Sequence, residues 1–557
     1  MMKGKLGRLI ILGILVALCL GNFILGIKLN YPPYENELVT LINTRLTFNN
    51  LGLDQQSRAT ILNNILGEEQ YFSEKIFPLR SWLQALGGTK GIFNLRLVNF
   101  IIFIMTLILF YFFLKQVGWT SPITLFPLIS ITISPLSLSL WLFRPKICLT
   151  IFLLISWLLI WSRKERKFIH DIFWVINTLL LFYSSFQGLI IGLLLLTPIT
   201  LFRFYRAKKY SIFLTLAILV LFLIIPIIKN PLFKKSLTQS APFNAVNPTQ
   251  VGQQITERFT QEDGLQVRVI FPLLFRRMGY NKIFFAYRNF TKEVLNFFDL
   301  ETLFFQEVHP MQQKSEVTFY WPEIFVFLVG IFWFIKSGFG KKQKNLLFLI
   351  FLSFIFHLFT QNDTFAGRYA LTLFTLAIVI GIGFKQMPRG LSLIILPLII
   401  WAIYINTYDI LKRPLFWYDN RPYVYAQGIK AIKMIETESV SYKNIYLTSL
   451  VGNPKIYYFY YFSPQPELFL KDPLFIEDKG KIVYFNSFDL VSNLPQKNSL
   501  YFGFLGEFIG PNSLNEFSEQ DINKIEPIGL KIEKVWKLDN TIAFRYSDYF
   551  VLASLKE

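Results

Sequence analysis

Two carboxylates stand two residues apart in Tyr31-Pro32-Pro33-Tyr34-Glu35-Asn36-Glu37-Leu38, directly after an apolar run over residues 9–27. A general base must be fixed near its substrate and partly shielded from water, so that its pKa approaches the working pH. Glu35 and Glu37 suit that role because the two prolines stiffen the chain ahead of them, at the face of a membrane. They fall either at a strand-like i, i+2 spacing or on the first turn of a helix. On a helix they would also complement the macrodipole, which calls for no chemistry. The other candidate is Arg368, in Gln361-Asn362-Asp363-Thr364-Phe365-Ala366-Gly367-Arg368-Tyr369. A guanidinium fork can hold a lipid phosphate through parallel hydrogen bonds. An arginine so placed also serves as a snorkelling anchor beside a tyrosine of the interfacial belt.

Other segments carry weaker signals. Leu66-Gly67-Glu68-Glu69-Gln70-Tyr71 and Phe77-Pro78-Leu79-Arg80-Ser81-Trp82 predict an amphipathic segment lying against the membrane interface. His309-Pro310 reads as structural, and Arg276 and Arg277 as solvated or headgroup-facing. Cys19 and Cys148 lie within or at the edge of apolar runs, so neither a disulfide framework nor a Cys-based zinc site is available. His170, His309 and His357 show no i, i+3 or i+4 pairing, and no metal ligand is assigned. A divalent metal held by carboxylates remains an option for the cationic work, and no cofactor is certain.

The elements that must position these residues are apolar helices. Hydrophobic residues make up 53% of the 557-residue chain and charged residues 17%, against about a quarter charged in soluble domains. A net charge of +20 in a soluble protein would suggest nucleic acid, but here the basic clusters fall in short loops between apolar runs. Nucleic acid is therefore not an expected partner, and membrane lipids are. Runs near 9–27, 97–115, 122–142, 147–162, 169–183, 187–203, 212–228, 320–335, 345–360, 368–384 and 391–408 predict about eleven transmembrane helices. The first is read as an uncleaved helix rather than a signal peptide.

Alternate loops carry Lys3/Lys5/Arg8, Lys115, Arg163/Lys164/Arg166/Lys167, Arg203/Arg206/Lys208/Lys209, Lys336/Lys341/Lys342/Lys344 and Lys385/Arg389. The positive-inside rule makes these cytoplasmic. The expectation is a polytopic α-helical protein of a bacterial-type inner membrane, with its N-terminus cytoplasmic and its C-terminus extracytoplasmic. Residues 1–408 form the membrane domain, with extracytoplasmic loops at 28–96 and 229–319, and residues 409–557 form a separate extracytoplasmic domain. The junction at 183–187 reads as one kinked helix or two short ones. In the tail, strand-length runs at 444–450, 455–462 and 481–485, turn signals between them and a helix near 424–437 suggest an α/β arrangement. No Gly-rich phosphate loop, nucleophile elbow or repeat period is visible there, which suits a structural or acceptor-docking cap.

The layout resembles the C-type glycosyltransferases, the multi-pass enzymes that include protein O-mannosyltransferases and aminoarabinose transferases. Its points of contact, in order, begin with Pro32-Pro33 followed by acids, Asn94-Leu95-Arg96-Leu97-Val98-Asn99 and Ser134-Pro135. Tyr280-Asn281-Lys282-Ile283, Phe298-Asp299-Leu300, Trp321-Pro322-Glu323 and Arg368-Tyr369 follow. The resemblance implies transfer of a sugar from a polyprenyl-phosphate donor to a glycan, lipid or protein acceptor, with inversion. It implies that Glu37, with Glu35, activates the acceptor and that Arg368 holds the lipid phosphate. Asn36-Glu37 stands where the family usually has an Asp-Glu pair. Two other classes fit the same layout: a catalytically inactive scaffold or lipid-carrier binding protein, and a polysaccharide polymerase or transporter. Helix interiors almost free of charge speak against ion-coupled transport.

Overall fold

The computed structural model describes residues 5–28, 35–48, 55–66, 77–86, 92–119, 124–163, 168–210, 282–305, 318–338, 340–359 and 365–412, with scattered positions between 212 and 229. Beyond these it describes residues 444–448, 456, 475–476, 480–485, 498–504, 531–537 and 549–555. The helices are α1 (Lys5–Lys28), α2 (Glu35–Phe48), α3 (Gln55–Leu66), α4 (Leu79–Leu86), α5 (Ile92–Val117), α6 (Phe126–Ile133), α7 (Pro135–Phe143) and α8 (Pro145–Ser162). They continue with α9 (Phe168–Phe182), α10 (Phe186–Ile191), a π-helical turn (Gly192–Leu196), α11 (Thr197–Arg206) and α12 (Lys282–Asn296). The last four are α13 (Glu323–Lys336), α14 (Lys341–Leu358), α15 (Phe365–Gln386) and α16 (Arg389–Lys412).

Among the described residues, Phe93–Val117, Pro145–Ser162, Phe186–Arg206 and Gly367–Gln386 are long and apolar enough to cross a membrane. Leu12–Ile24, Phe168–Phe182, Gln343–Leu358 and Gly390–Ile405 are shorter apolar helices. The chain is thus mostly helical and compatible with a membrane protein. α15 is the most enclosed of the four long helices, with 83% of its apolar window buried against 39% for α5. It touches α13, α14, α6, α7 and α8, which makes it the central post of the bundle.

Gly330 of α13 and Gly383 of α15 make that enclosure possible. A Cβ on Gly330 would overlap the Val379 carbonyl, and one on Gly383 would overlap the Val326 carbonyl. Small residues let two helix backbones approach this closely, the packing device that works in lipid.

The run expected as one helix over 122–142 is broken. Ser134 adopts φ −54° and ψ 136°, because the proline ring of Pro135 disfavours helical geometry in the residue before it. Broken helices survive in an apolar interior only if the freed backbone groups find partners. Asn22 Nδ2 donates to the Thr132 carbonyl at 2.9 Å and Tyr320 Oη to the Ile133 carbonyl at 3.1 Å. Ser134 Oγ accepts the Leu136 N–H at 3.1 Å and donates to the Thr318 carbonyl at 2.5 Å. Trp141 Nε1 donates to Asn22 Oδ1 at 3.2 Å, so one asparagine in α1 bridges both halves.

The ambiguous stretch at 183–187 forms two helices. α9 ends at Phe182, and Ser185 caps α10 by accepting the Gly188 N–H at 3.1 Å. Thr150 fastens this turn to α8, with its hydroxyl 2.9 Å from Ser184 Oγ and 2.7 Å from Ser185 Oγ. The far ends of the same helices carry the charges. Arg163 Nη1 meets His170 at 2.5 Å, Arg203 Nη1 donates to the Trp161 carbonyl at 3.1 Å, and Lys209 pairs with Asp171.

Among the described residues near the C-terminus, six strands form one sheet: β1 (Asn444–Thr448), β2 (Phe475–Ile476), β3 (Gly480–Phe485), β4 (Ser499–Phe504), β5 (Lys531–Lys537) and β6 (Tyr549–Leu555), in the order β2-β3-β1-β4-β6-β5. β1 runs parallel to β3 and β4, while the outer pairings are antiparallel. Tyr446 stacks on its register partner Tyr501 at 4.6 Å, and burial raises the Tyr446 phenol above its usual range. The helix expected near 424–437 and most of the strand expected at 455–462 lie outside the described residues.

Candidate functional site

The helical alternative holds for the two acids: α2 begins at Glu35, so both sit in its first turn. Their side chains are outside the described residues, but the backbone fixes their register. Two residues on a helix are about 200° apart, so the acids belong to nearly opposite faces. Glu35 shares its stripe with Leu38, Val39 and Ile42, whereas Glu37 shares its stripe with Thr40, Leu41 and Thr44. All six neighbours are buried. Glu37 is therefore the acid in line with hydroxyl groups.

That stripe leads to a buried polar cluster about 10 Å along the helix axis, at 1.5 Å per residue. Asn43 Nδ2 donates to Ser81 Oγ at 3.1 Å, and Thr44 Oγ1 lies 3.4 Å from the Ser81 carbonyl. Beside them, Arg80 donates to Asn99 Oδ1 and, at 3.4 Å, to Gln84 Oε1. Arg80 and Gln84 are fully buried, Asn99 is nearly so, and Arg96 is 5% exposed. Arg96 and Asn99 share one face of α5 at the i, i+3 spacing, so two buried guanidinium groups stand within a helical turn's reach of one another. Buried cations are costly unless hydrogen bonds and charges compensate them.

Of the segment expected to be amphipathic, residues 67–71 lie outside the described residues, and Leu79–Leu86 forms α4. α4 does bring polar and apolar residues to different sides, but Arg80, Ser81 and Gln84 face inward and Trp82 is 47% exposed. The readable signal was the spacing of Arg80, Ser81 and Gln84 at i, i+1 and i+4, three polar residues on one side of a tryptophan-bearing helix.

Arg368 lies in the first turn of α15 and is half-buried. Its neighbour is no belt residue. Tyr369 is 3% exposed, donates its hydroxyl to the Asn296 carbonyl at 2.6 Å and packs its ring 5.0 Å from that of His357. Phe297 closes the other side of His357 at 5.5 Å. α4 and α15 both touch α8, and so α8 joins the acid-bearing unit to the helix of Arg368. Among the described residues, no group of three or more His, Cys, Asp or Glu side chains could hold a metal ion. Glu68, Glu69, Arg276, Arg277 and His309 lie outside the described residues.

The arrangement offers an acid-bearing helix, a buried cationic cluster beneath it and a second cation at a helix start. Such a set can place negative charge and accept a proton near it. No protein-family model matches this chain, and no curated protein matches it in sequence.

Proposed function

We propose that this chain is a membrane glycosyltransferase that moves a sugar from a polyprenyl-phosphate donor to an acceptor on the outer face of a bacterial-type inner membrane. It crosses the bilayer about eleven times, with the N-terminus cytoplasmic and the C-terminal domain, an α/β unit built on the six-stranded sheet, outside. The observation that carries the reading is the register of Glu37, on a buried hydroxyl-bearing stripe that runs to the Arg80/Arg96 cluster. In the reaction an acceptor hydroxyl gives its proton to Glu37 as its oxygen bonds to the anomeric carbon. The bond from that carbon to the phosphate oxygen breaks, and polyprenyl phosphate leaves with its bonding electrons. Arg368 stabilises the charge that develops on the leaving phosphate.

The broken helix at Ser134 is the one feature that favours a transporter, since discontinuous helices often hold substrates there. The carbonyls of Thr132 and Ile133 at the break, however, are taken up by Asn22 and Tyr320. That closure favours a structural break. A transfer assay in membranes, with a panel of polyprenyl-phosphate sugars and product mass as the readout, tests the proposal. New glycosylated product that depends on this chain is the expected result; donor binding without any transfer would leave a lipid-carrier binding scaffold instead.

A further inference from the structure

α12 presents its two sides in the order opposite to that of a helix in water. Tyr287 is 67% exposed, Leu295 62%, and Phe290 is exposed as well, while Asn289 and Asn296 are partly covered. The two asparagines lie about 200° and 180° round the helix from Tyr287, so the amides face the protein and the large apolar groups face away from it. Phe298 and Leu300, just past the helix, are exposed too. Showing such groups is unfavourable against water and favourable against an apolar medium.

The place at which α12 is fastened identifies that medium. The carbonyl of its last residue, Asn296, accepts the Tyr369 hydroxyl at 2.6 Å. The next residue, Phe297, packs 5.5 Å from the rings of both Phe354 and His357. Tyr369 lies in the first turns of α15, and Phe354 and His357 lie near the end of α14. One apolar helix ends and another begins at this level, which is the edge of a hydrocarbon layer. α12 cannot cross that layer itself, since its 15 residues include Lys282, Arg288, Lys292 and Glu293. Arg288 and Lys292, one helical turn apart and both exposed, flank the apolar side. Lipid phosphates are the anions found at that depth.

We infer that α12 is a membrane-interface helix, lying flat with Tyr287, Phe290 and Leu295 among the upper acyl carbons and Arg288 and Lys292 at the phosphates of a phospholipid bilayer. Aromatic and aliphatic residues on one side and cations beside them are what such a surface binds. The inference rests on the chain being embedded in a membrane and is independent of the transferase reading. Its consequence for the site is positional: a lipid-borne helix joined to Tyr369 holds the start of α15, and Arg368 with it, at headgroup depth.

The test uses the full chain in phospholipid nanodiscs, with Cys19→Ala and Cys148→Ala removing the native thiols and one environment-sensitive fluorophore on a single new cysteine. Leu295→Cys and Tyr287→Cys report on α12, two sites so that the failure of one variant to fold leaves the other. Ile108→Cys, exposed within the span of α5, is the lipid control, and Ser337→Cys, in the exposed turn after α13, is the water control. Labels on α12 should show blue-shifted emission relative to Ser337, weaker quenching by iodide, and stronger quenching by lipids carrying a nitroxide near the headgroup than by lipids carrying it deep on the acyl chain. Iodide quenching as strong as at Ser337 would place the helix in water and overturn the inference. Protection from iodide and from both nitroxide lipids would mean that protein covers the helix, and would overturn it too. Stronger quenching by the deep nitroxide would rule out a helix lying at the surface. If the Ile108 label escapes the nitroxide lipids, the membrane reading fails together with the inference; if it is quenched while the α12 labels are not, the inference alone fails.

Discussion

Ser130 donates its hydroxyl to the carboxylate of Glu323, a residue 193 positions later in the chain, and both side chains are almost completely buried. The other carboxylate oxygen accepts the Tyr320 N–H at 3.0 Å. This joint ties the start of α13 to the half-helix before the break at Ser134. Glu323→Ala would strand a buried hydroxyl and a buried N–H, at about 1–3 kcal/mol each. The expected result is a clear loss of thermal stability in detergent, larger than for Ser130→Ala. Glu323→Gln, which keeps the shape and one acceptor oxygen, should fall between Glu323→Ala and the unmodified protein.

The close approach of α13 and α15 gives a sharper test of packing. Gly330→Ala and Gly383→Ala each add one carbon that must displace a backbone carbonyl. Overpacking of this kind costs about 1–3 kcal/mol. Gly21→Ala in α1 has nothing within 4 Å of the added carbon and is the matched control. Thermal unfolding followed by tryptophan fluorescence should show both tight-site variants destabilised, with Gly21→Ala neutral or slightly stabilising. Unchanged melting of the Gly383→Ala protein would contradict the crossing.

Topology has its own measurement. An alkaline-phosphatase fusion after Glu557 should be active, and one after Ser337 inactive, because the basic loops mark the cytoplasmic side. The reverse pair of fusion activities would place Glu37 and Arg368 on the cytoplasmic face.

The helices were legible in sequence wherever an apolar run was long and uninterrupted, as in α5, α8 and α15, because length against bilayer thickness sets that signal. The strands β1 and β3 were legible for the same local reason, short apolar runs between turn signals. The break at Ser134 was visible as Ser-Pro, yet it can persist only because Asn22 and Tyr320 reach it from distant parts of the chain. The site divides likewise. Glu37 and Arg368 stood out by residue type and loop position. The burial of Arg80 was not legible, since a sequence shows that a helix is amphipathic but not which face the bundle covers.

Arg368 should be felt in donor affinity before it is felt in stability. Arg368→Ala should weaken binding of a polyprenyl-phosphate sugar by about 1.5–3 kcal/mol, the range for hydrogen bonds to charged groups. Lysine should restore only part of this, since a point charge lacks the planar fork. Unchanged affinity in a folded Arg368→Ala protein would leave the residue as an interfacial anchor.

The central claim is that Glu37 takes the acceptor proton, and the decisive measurement is turnover of Glu37→Gln in the membrane transfer assay. The amide keeps the shape and hydrogen-bonding reach of the acid but cannot accept the proton. Turnover should fall by about 10²- to 10⁴-fold while donor binding persists. Glu35→Gln, on the opposite and apolar stripe of α2, should keep most of its activity. Full activity in Glu37→Gln would contradict the account: a simultaneous loss in Glu35→Gln would move the base two residues upstream, and silence of both substitutions would reduce the acids to partners of the helix dipole.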